Sequence, residues 1–330
     1  MTVLAITGLG VDCRVKRGAR PLPAAPHGSR FRYTVAVLIV VNPAAAGGRL
    51  GHEWKRLGPR LEAAGLKAPR IFTEAPGHAT ELAQRALRDG VRTVVAVGGD
   101  GTVCEIVEGL HRAGGGRLGI LPRGTGNDAA RTLGVPLKID AAARALLAGR
   151  SRKVDVITVG DRVVLNAIGI GLTGEINRRA AAVKVVRGLA VYLATAAASL
   201  FCYRAPEVRL EADGRSWTGR MTMMAVHNGP TTGGGFCLTP MALPADGLLD
   251  VCLVEGMGPF RRGARLVAAL RGKLGVMKGT FELQTSSFDL HFDERIPIHL
   301  DGNQWELVPP HVRFAVVPGA IEVVTGDARA

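Results

Sequence analysis

The alternation of apolar runs and helical periods is regular in the first half of the chain. Val35 to Val41 is a short continuous apolar run, closed by Asn42-Pro43 and a Gly47-Gly48 turn. A helical period follows over Trp54, Leu57, Leu61 and Ala64. Arg70 to Thr73 predicts a second strand and His78 to Leu87 a second helix. Thr93 to Val97 predicts a third strand, running into Gly98-Gly99-Asp100-Gly101-Thr102. Val103 to Leu110 is helical, and Leu118 to Leu121 predicts a fourth strand that enters Pro122-Arg123-Gly124-Thr125-Gly126-Asn127-Asp128. Fully apolar strands alternating with helices predict a parallel sheet covered on both faces. Such sheets bind ligands beyond the carboxyl ends of their strands, where both Gly-rich turns fall.

After about Arg150 the texture becomes β. Val154 to Val159 and Val163 to Ile168 flank Gly160-Asp161, a hairpin turn. Val208–Leu210, Arg220–Val226, Leu248–Val254, Phe288–Phe292, Ile296–Leu300 and Val312–Val317 predict further strands. Helical stretches near Gly188 to Phe201 and Pro259 to Leu270 interrupt them. The expected organisation is a basic arm over residues 1–34, an α/β domain over 35–150 and an antiparallel β-sandwich over 151–330, whose last strands can return to the first domain.

Composition narrows the class. Of 330 residues, 47% are hydrophobic and 21% charged, which excludes general disorder. Lys and Arg number 42 against 28 acids, a net charge of +14. Six basic residues against one acid between Asp12 and Arg32 place much of that excess in the arm. Aromatics at 5% argue against stacking-based nucleic-acid binding, and no recognition motif supports DNA. Cys13, Cys104, Cys202, Cys237 and Cys252 are odd in number and lack CxxC spacing, so a reducing cytoplasm is expected rather than a disulfide scaffold. The apolar run Leu189 to Tyr203 is shorter than the ~20 residues a bilayer crossing needs. Met1 to Gly10 has no basic region ahead of its apolar stretch and makes a poor signal peptide.

The chemistry sits in the two turns. Glycines in Gly98 to Thr102 permit positive φ and close backbone approach, and the helix that follows offers free N–H groups to an anion. Asp100 fits such a cradle only if a cation shares it, which suggests a Mg²⁺-nucleotide; the alternative is a tight turn with Asp100 as a helix N-cap. In the second turn Thr125 can donate to a phosphate, and Asn127 or Asp128 can cap the next helix. Two such turns on consecutive parallel strands line one cleft. There is no GxxxxGK[ST], and no GxGxxG follows a strand and opens a helix.

Together, Asn42-Pro43, Gly98 to Thr102 and Pro122 to Asp128 resemble the signature segments of the diacylglycerol kinase catalytic domain, over about residues 35 to 325. That family takes in bacterial diacylglycerol kinases, YegS-like lipid kinases and sphingosine kinases. Asp246-Gly247-Leu248-Leu249-Asp250 and Asp301-Gly302 resemble its C-terminal signatures. The resemblance implies an α/β nucleotide-binding domain followed by a β-sandwich, with the active site in the cleft between them. It implies ATP contacts at Asn42, Thr73, Gly98, Gly99, Asp100, Gly101, Thr102, Glu105, Gly124, Thr125 and Asn127, with Asp100 holding Mg²⁺-ATP. It also implies a structural Mg²⁺ on the Asp246 carboxylate and the carbonyls of Leu243 and Leu248; an ordinary Asp-Gly turn is the other reading of Asp246.

The family's usual Asp-Gly-Glu is Asp301-Gly302-Asn303 here. An amide has no basic site useful near neutral pH, so either Asp301, the candidate general base, takes the proton, or another group does, or the protein transfers phosphate poorly. Cys104 stands where Asn is usual and Ala46 where Gly is common; Cys104 is expected to be a small buried thiol, not a nucleophile. His227, beside Asn228-Gly229, is expected to be structural or close to substrate. Phe260 to Lys278 carries Arg261, Arg262, Arg265, Arg271, Lys273 and Lys278 with no acid, interleaved with Leu266, Val267, Leu270 and Leu274. Arg178, Arg179, Lys184 and Arg187 precede the apolar stretch 189–201. Either stretch can rest on an anionic membrane or be a solvated helix face. The expected activity is an ATP-dependent lipid kinase, peripheral at the inner membrane face, that draws its acceptor from the bilayer. The alternatives are a catalytically weak lipid- or nucleotide-binding relative and a NAD kinase.

Overall fold

The computed structural model describes residues 36–182, 197–270 and 272–326, all within one compact unit, Tyr33–Ala330. The expected basic arm over 1–34, the apolar residues 189–196, Lys184, Arg187 and Arg271 lie outside the described residues, as do the side chains of Leu266 and Leu270.

The first half contains β1 (Val37–Val41), a 3₁₀ turn (Ala45–Gly48), α1 (Arg49–Ala63), β2 (Arg70–Phe72), α2 (His78–Arg88), β3 (Thr93–Gly98), α3 (Asp100–Arg112), β4 (Arg117–Pro122), α4 (Asp128–Thr132) and α5 (Ile139–Ala148). The strands run parallel in the order β4-β3-β1-β2, with Val40 opposite Ala96 and Ala96 opposite Ile120. Their β-branched residues are buried on both faces because helices cover both. Leu50, Trp54, Leu57 and Leu61 of α1 and Ala79, Ala83 and Ala86 of α2 supply that cover. Gly109 of α3 lies against α2 so closely that a Cβ there would stand 2.7 Å from Ala83 Cβ. Only glycine allows that approach.

The second half runs β5 (Ser151–Val159), β6 (Arg162–Val164), β7 (Ala167–Gly171), α6 (Leu172–Ala182) and a helix over 197–202, here α7. Then come β8 (Glu207–Ala212), β9 (Arg215–His227), β10 (Thr231–Thr232), β11 (Phe236–Cys237), β12 (Leu249–Glu255), α8 (Pro259–Leu270), β13 (Thr280–Thr285), β14 (Ser287–Phe292), β15 (Ile296–Leu300), β16 (Asn303–Leu307) and β17 (His311–Val324). Apart from β17's parallel pairing with β4, the pairs in this half are antiparallel, and the layers bury a second core in which Phe288 and Phe314 stack at 4.6 Å. The Gly160-Asp161 hairpin joins β5 to β6. The architecture is therefore an α/β domain with a parallel sheet followed by an antiparallel β-sandwich.

One strand belongs to both halves. β17 pairs antiparallel with β14 and β5, shifts register between Val317 and Ile321, and then runs parallel to β4 with Glu322 opposite Arg117. Several elements carry no sequence signal above. β13 and β16 alternate polar with apolar on exposed edges, so their periodicity is faint. α5 and α6 are rich in alanine and show only short apolar periods.

Candidate active site

The two Gly-rich turns touch through their backbones. A Cβ on Gly99 would stand 2.9 Å from Gly124 Cα. That contact, rather than positive φ, is what the glycines provide: Gly98, Gly99, Gly101, Gly124 and Gly126 all avoid the left-handed region, contrary to the expectation from sequence. The positive φ in this region belongs to Asn127, at 55°. Its side chain closes the turn on itself, Oδ1 accepting from Gly124 N at 2.8 Å and Nδ2 donating to Gly124 O at 3.0 Å.

The turns wall a cavity of about 420 Å³ that brings together Asn42, Thr73, Gly99, Gly101, Thr102, Glu105, Gly124 and Thr125. Gly98, Asp100 and Asn127 stand behind this wall and do not line it. Asn42 Nδ2 donates to Thr102 Oγ1 at 2.9 Å, and Asn42 Oδ1 accepts from Ala44 N at 3.0 Å, which fixes the rim. Glu105 Oε2 accepts from Ala79 N at 3.2 Å in the first turn of α2. Asn303 completes the lining. The volume lies within the range of small-molecule sites.

Asp100 is the first residue of α3, not its N-cap, which is Gly99. Its Oδ1 instead accepts from Ala129 N of α4 at 2.9 Å. The Oδ2 atoms of Asp100 and Asp128 both flank Gly126: a Cβ there would stand 2.9 Å from one and 3.2 Å from the other. Burial, and secondarily the Asp128 carboxylate, raise the Asp100 pKa above its ordinary value against the pull of the Ala129 N–H. Arg131 Nη1, 3.2 Å from Asp128 Oδ1, already offsets part of the charge, and the Oδ2 side of the pair is where a divalent cation such as Mg²⁺, which takes one or two carboxylates beside phosphate oxygens, would fit. Among the described residues no group of three or more His, Cys, Asp or Glu gathers for a metal. Asp128 is 5% exposed, and its Oδ2 accepts from Gly234 N at 2.6 Å, joining α4 to the β10–β11 hairpin. The sequence signalled Asp128 only as a cap.

Asp301 is placed differently from what proton removal requires. It sits at the β15–β16 turn with φ 47°, and its carboxylate faces into the chain. It accepts from the backbone N–H groups of Leu165 (3.0 Å), Asn166 (3.2 Å) and Ala167 (2.7 Å) and lines neither the 420 Å³ cavity nor the apolar pocket described below. Burial pushes its pKa up to about 7 against those three donors, and the Asp100 carboxylate adds to the rise. What Asp301 does is hold the β6–β7 connection and with it Asn166. Asn166 Oδ1 accepts from Thr132 Oγ1 at 2.7 Å, and Asn166 Nδ2 donates to Thr231 O at 2.9 Å. No sequence pattern marked Asn166. Cys104 is the buried thiol expected, directed at Val163 O at 3.6 Å, with burial raising its pKa far above the ordinary range.

A second pocket, lined mostly by apolar side chains, lies in the sandwich half between α6, β9, α7 and α8, with Leu172, Ile176, Leu200, Met223 and Leu238 among its walls. Thr232, Gly233 and His299 also line it. Gly233 is thus one residue from the Gly234 N–H that meets Asp128. His299 is 7% exposed, its Nδ1 has no hydrogen-bond partner, and burial pushes its pKa down to about 4. His227 is fully buried behind the pocket; Thr239 Oγ1 donates to Gly229 O and accepts from His227 Nδ1 at 2.8 Å, a structural role.

Asp246, Leu243 and Leu248 share the turn before β12, away from both pockets. Asp246 Oδ1 accepts from Leu248 N at 3.0 Å, the geometry of an ordinary Asp-Gly turn. The buried carboxylate of Asp155 fastens that turn, accepting from Gly247 N at 2.8 Å and Gly319 N at 2.7 Å.

Residues 36–159 match the diacylglycerol kinase catalytic domain, and residues 166–325 match the YegS C-terminal NAD kinase beta sandwich-like domain. A curated relative from Pseudomonas aeruginosa (strain UCBPP-PA14), named "Probable lipid kinase YegS-like", is 34% identical over 87% of this chain and 93% of its own. One of the same name from Chromohalobacter salexigens is 32% identical over 79% and 85%. A crystal structure of a diacylglycerol kinase from Bacillus anthracis str. Sterne superposes with a TM-score of 0.67 at 25% identity, over 89% of this chain and 98% of that one. A further Bacillus anthracis structure reaches a TM-score of 0.74 at 27% identity with the same coverage. Touching glycine turns below a parallel sheet, a sandwich behind them and relatives that span nearly the whole chain agree: this chain belongs to the diacylglycerol kinase catalytic-domain family, with a YegS-type C-terminal half.

Proposed function

We propose that the protein is an ATP-dependent lipid kinase. The nucleotide occupies the cavity between Asn42, Thr73, Gly101, Glu105 and Thr125, with its phosphates toward the touching turns. Asp100 and Asp128 would hold Mg²⁺, whose chemistry there would be neutralisation of charge on the transferred phosphoryl group. The acceptor's chain lies in the apolar pocket, its hydroxyl toward Thr232, Gly233 and His299. The observation that carries this reading is the Asp128–Gly234 bond, because it links the wall of one pocket to the acidic turn of the other.

Phosphoryl transfer of this kind asks mainly for positioning and charge stabilisation. Asn42 and Asn127 stiffen the two turns, while Asp301 positions Asn166 and through it the β10 segment. Asn303 favours a second reading, a relative that binds the same ligands with little transfer, since an amide occupies the place of the family's usual carboxylate.

Labelled ATP incubated with the purified chain and a panel of lipids tests both. A labelled lipid, lost in Asp100→Ala, is the expected result. The variant should remain folded and lose about 1 kcal/mol through the uncapped start of α4. No labelled lipid from the wild type favours the binding relative. Near-normal transfer by Asp100→Ala removes the metal reading, and NADP formed from NAD and ATP replaces the lipid reading altogether.

A further inference from the structure

Helix α8 carries an exposed apolar stripe. Phe260, Ala264 and Val267 stand at i, i+4 and i+7, a single stripe, and all three are exposed, Phe260 at 85% and Val267 at 47%. The charged Arg262 points inward and is 8% exposed. Its guanidinium donates to Leu200 O at 2.8 Å and Tyr203 O at 2.9 Å and lies over the Tyr203 ring. This buried cation ties the end of α7 to α8. It thereby holds Phe201, itself 62% exposed, edge-on to Phe260 with ring centroids 6.0 Å apart. Two phenyl rings from separate helices are locked together in water. Exposed apolar patches of this kind mark an interaction surface.

Charge and position identify what covers it. From Pro259 to Lys278 there is no acidic residue, and Arg261, Lys273 and Lys278 are exposed. The helices that carry the patch also wall the apolar pocket, through Leu200 of α7 and Arg262, Arg265 and Ala269 of α8. A bilayer with anionic headgroups offers hydrocarbon to the rings and negative charge to the basic residues. We propose that the face formed by Phe201, Phe260 and Val267 docks on an anionic phospholipid membrane, with the mouth of the apolar pocket toward the leaflet. The purpose of docking rests on the lipid-kinase reading, because a pocket opening at the membrane lets an acceptor pass in without crossing water; the docking itself does not need nucleotide.

The test is co-sedimentation of the full chain, without nucleotide, with phosphatidylcholine vesicles that contain phosphatidylglycerol or lack it. The wild type should bind the anionic vesicles preferentially. Phe201→Ser with Phe260→Ser should lower binding by at least about tenfold without lowering the melting temperature, since both rings face solvent. Arg261→Gln with Lys273→Gln should weaken binding to anionic vesicles about fivefold for each charge removed. Wild-type levels of vesicle binding by the double Phe variant, or no vesicle binding by the wild type, overturn the proposal. A wild-type dimer that the Phe variant splits, with no vesicle binding, assigns the face to a second copy instead. If no lipid is phosphorylated under any condition, the kinase reading fails while the vesicle result still decides the docking face.

Discussion

Asn303 Nδ2 lies 3.4 Å from Gly101 O, so the tip of the β15–β16 hairpin meets the first turn of α3 at the wall of the 420 Å³ cavity. The side chain has no freedom to approach further, since a Cβ on Gly101 would stand 2.6 Å from Asn303 Oδ1. A glutamate there is one methylene longer and must turn its carboxylate into the cavity. Asn303→Glu should therefore raise lipid phosphorylation by roughly tenfold or more if proton removal limits turnover. Steady-state assays with labelled ATP check this, and an unchanged rate assigns the proton to another acceptor.

The contact between Gly99 and Gly124 is backbone against backbone, so neither partner can yield. On the proposed reading ATP with Mg²⁺ should raise the wild-type melting temperature, and Gly99→Ala should separate the turns, cost on the order of 1–3 kcal/mol and abolish that shift. Differential scanning fluorimetry with and without nucleotide reads both effects. A variant that keeps its nucleotide shift would show that the turns need not touch to bind phosphate.

Glu108 of α3 is 1% exposed and pairs with Arg112 and, at 3.1 Å, with Arg162. Arg162 also lies 4.5 Å over the Trp305 ring, which couples β6, α3 and β16. Arg162→Ala strips a buried carboxylate of one of its two cations and should cost about 3 kcal/mol. Arg162→Ala with Glu108→Gln should recover part of that loss in urea melts. No recovery would mean that the Trp305 stack carries the effect.

Burial holds the His299 pKa near 4 in the folded chain, against 6.5 when exposed. The folded ring stays neutral while the unfolded ring takes a proton as pH falls below 6.5. The stability this supplies is complete above 6.5 and is lost as pH falls toward 4, at up to about 1.4 kcal/mol per pH unit. His227, pushed down to about 3, acts in the same direction. Asp301, raised to about 7, acts in the opposite one: its contribution is complete below 3.8 and is lost as pH rises through 7. His299→Gln should flatten the pH dependence of the melting midpoint between pH 6 and pH 4.5 relative to wild type. Parallel slopes for the two proteins would contradict the burial of a neutral ring.

The parallel sheet was legible because strands buried on both faces must be apolar throughout, as Thr93–Gly98 is. Part of the 420 Å³ cavity's wall was legible because two contiguous turns supply Gly99, Gly101, Thr102, Gly124 and Thr125. What escaped were groups that meet only after folding. Asn166 and Thr132 are far apart in the chain and share no motif. Asp128 looked like a cap because its partner, Gly234, lies 106 residues away. Asp301 suggests a base in sequence, which shows its carboxylate but not the three N–H groups that occupy it.

The fourteen residues His311–Val324 seal the edges of both β4 and β14. The halves named by homology are consequently not separable parts: a fragment ending near residue 159 would present a long raw edge to its neighbours and invite aggregation. Melting should proceed as one transition rather than two, and any hinge between the two pockets must bend this shared ribbon, most readily at the offset between Val317 and Ile321.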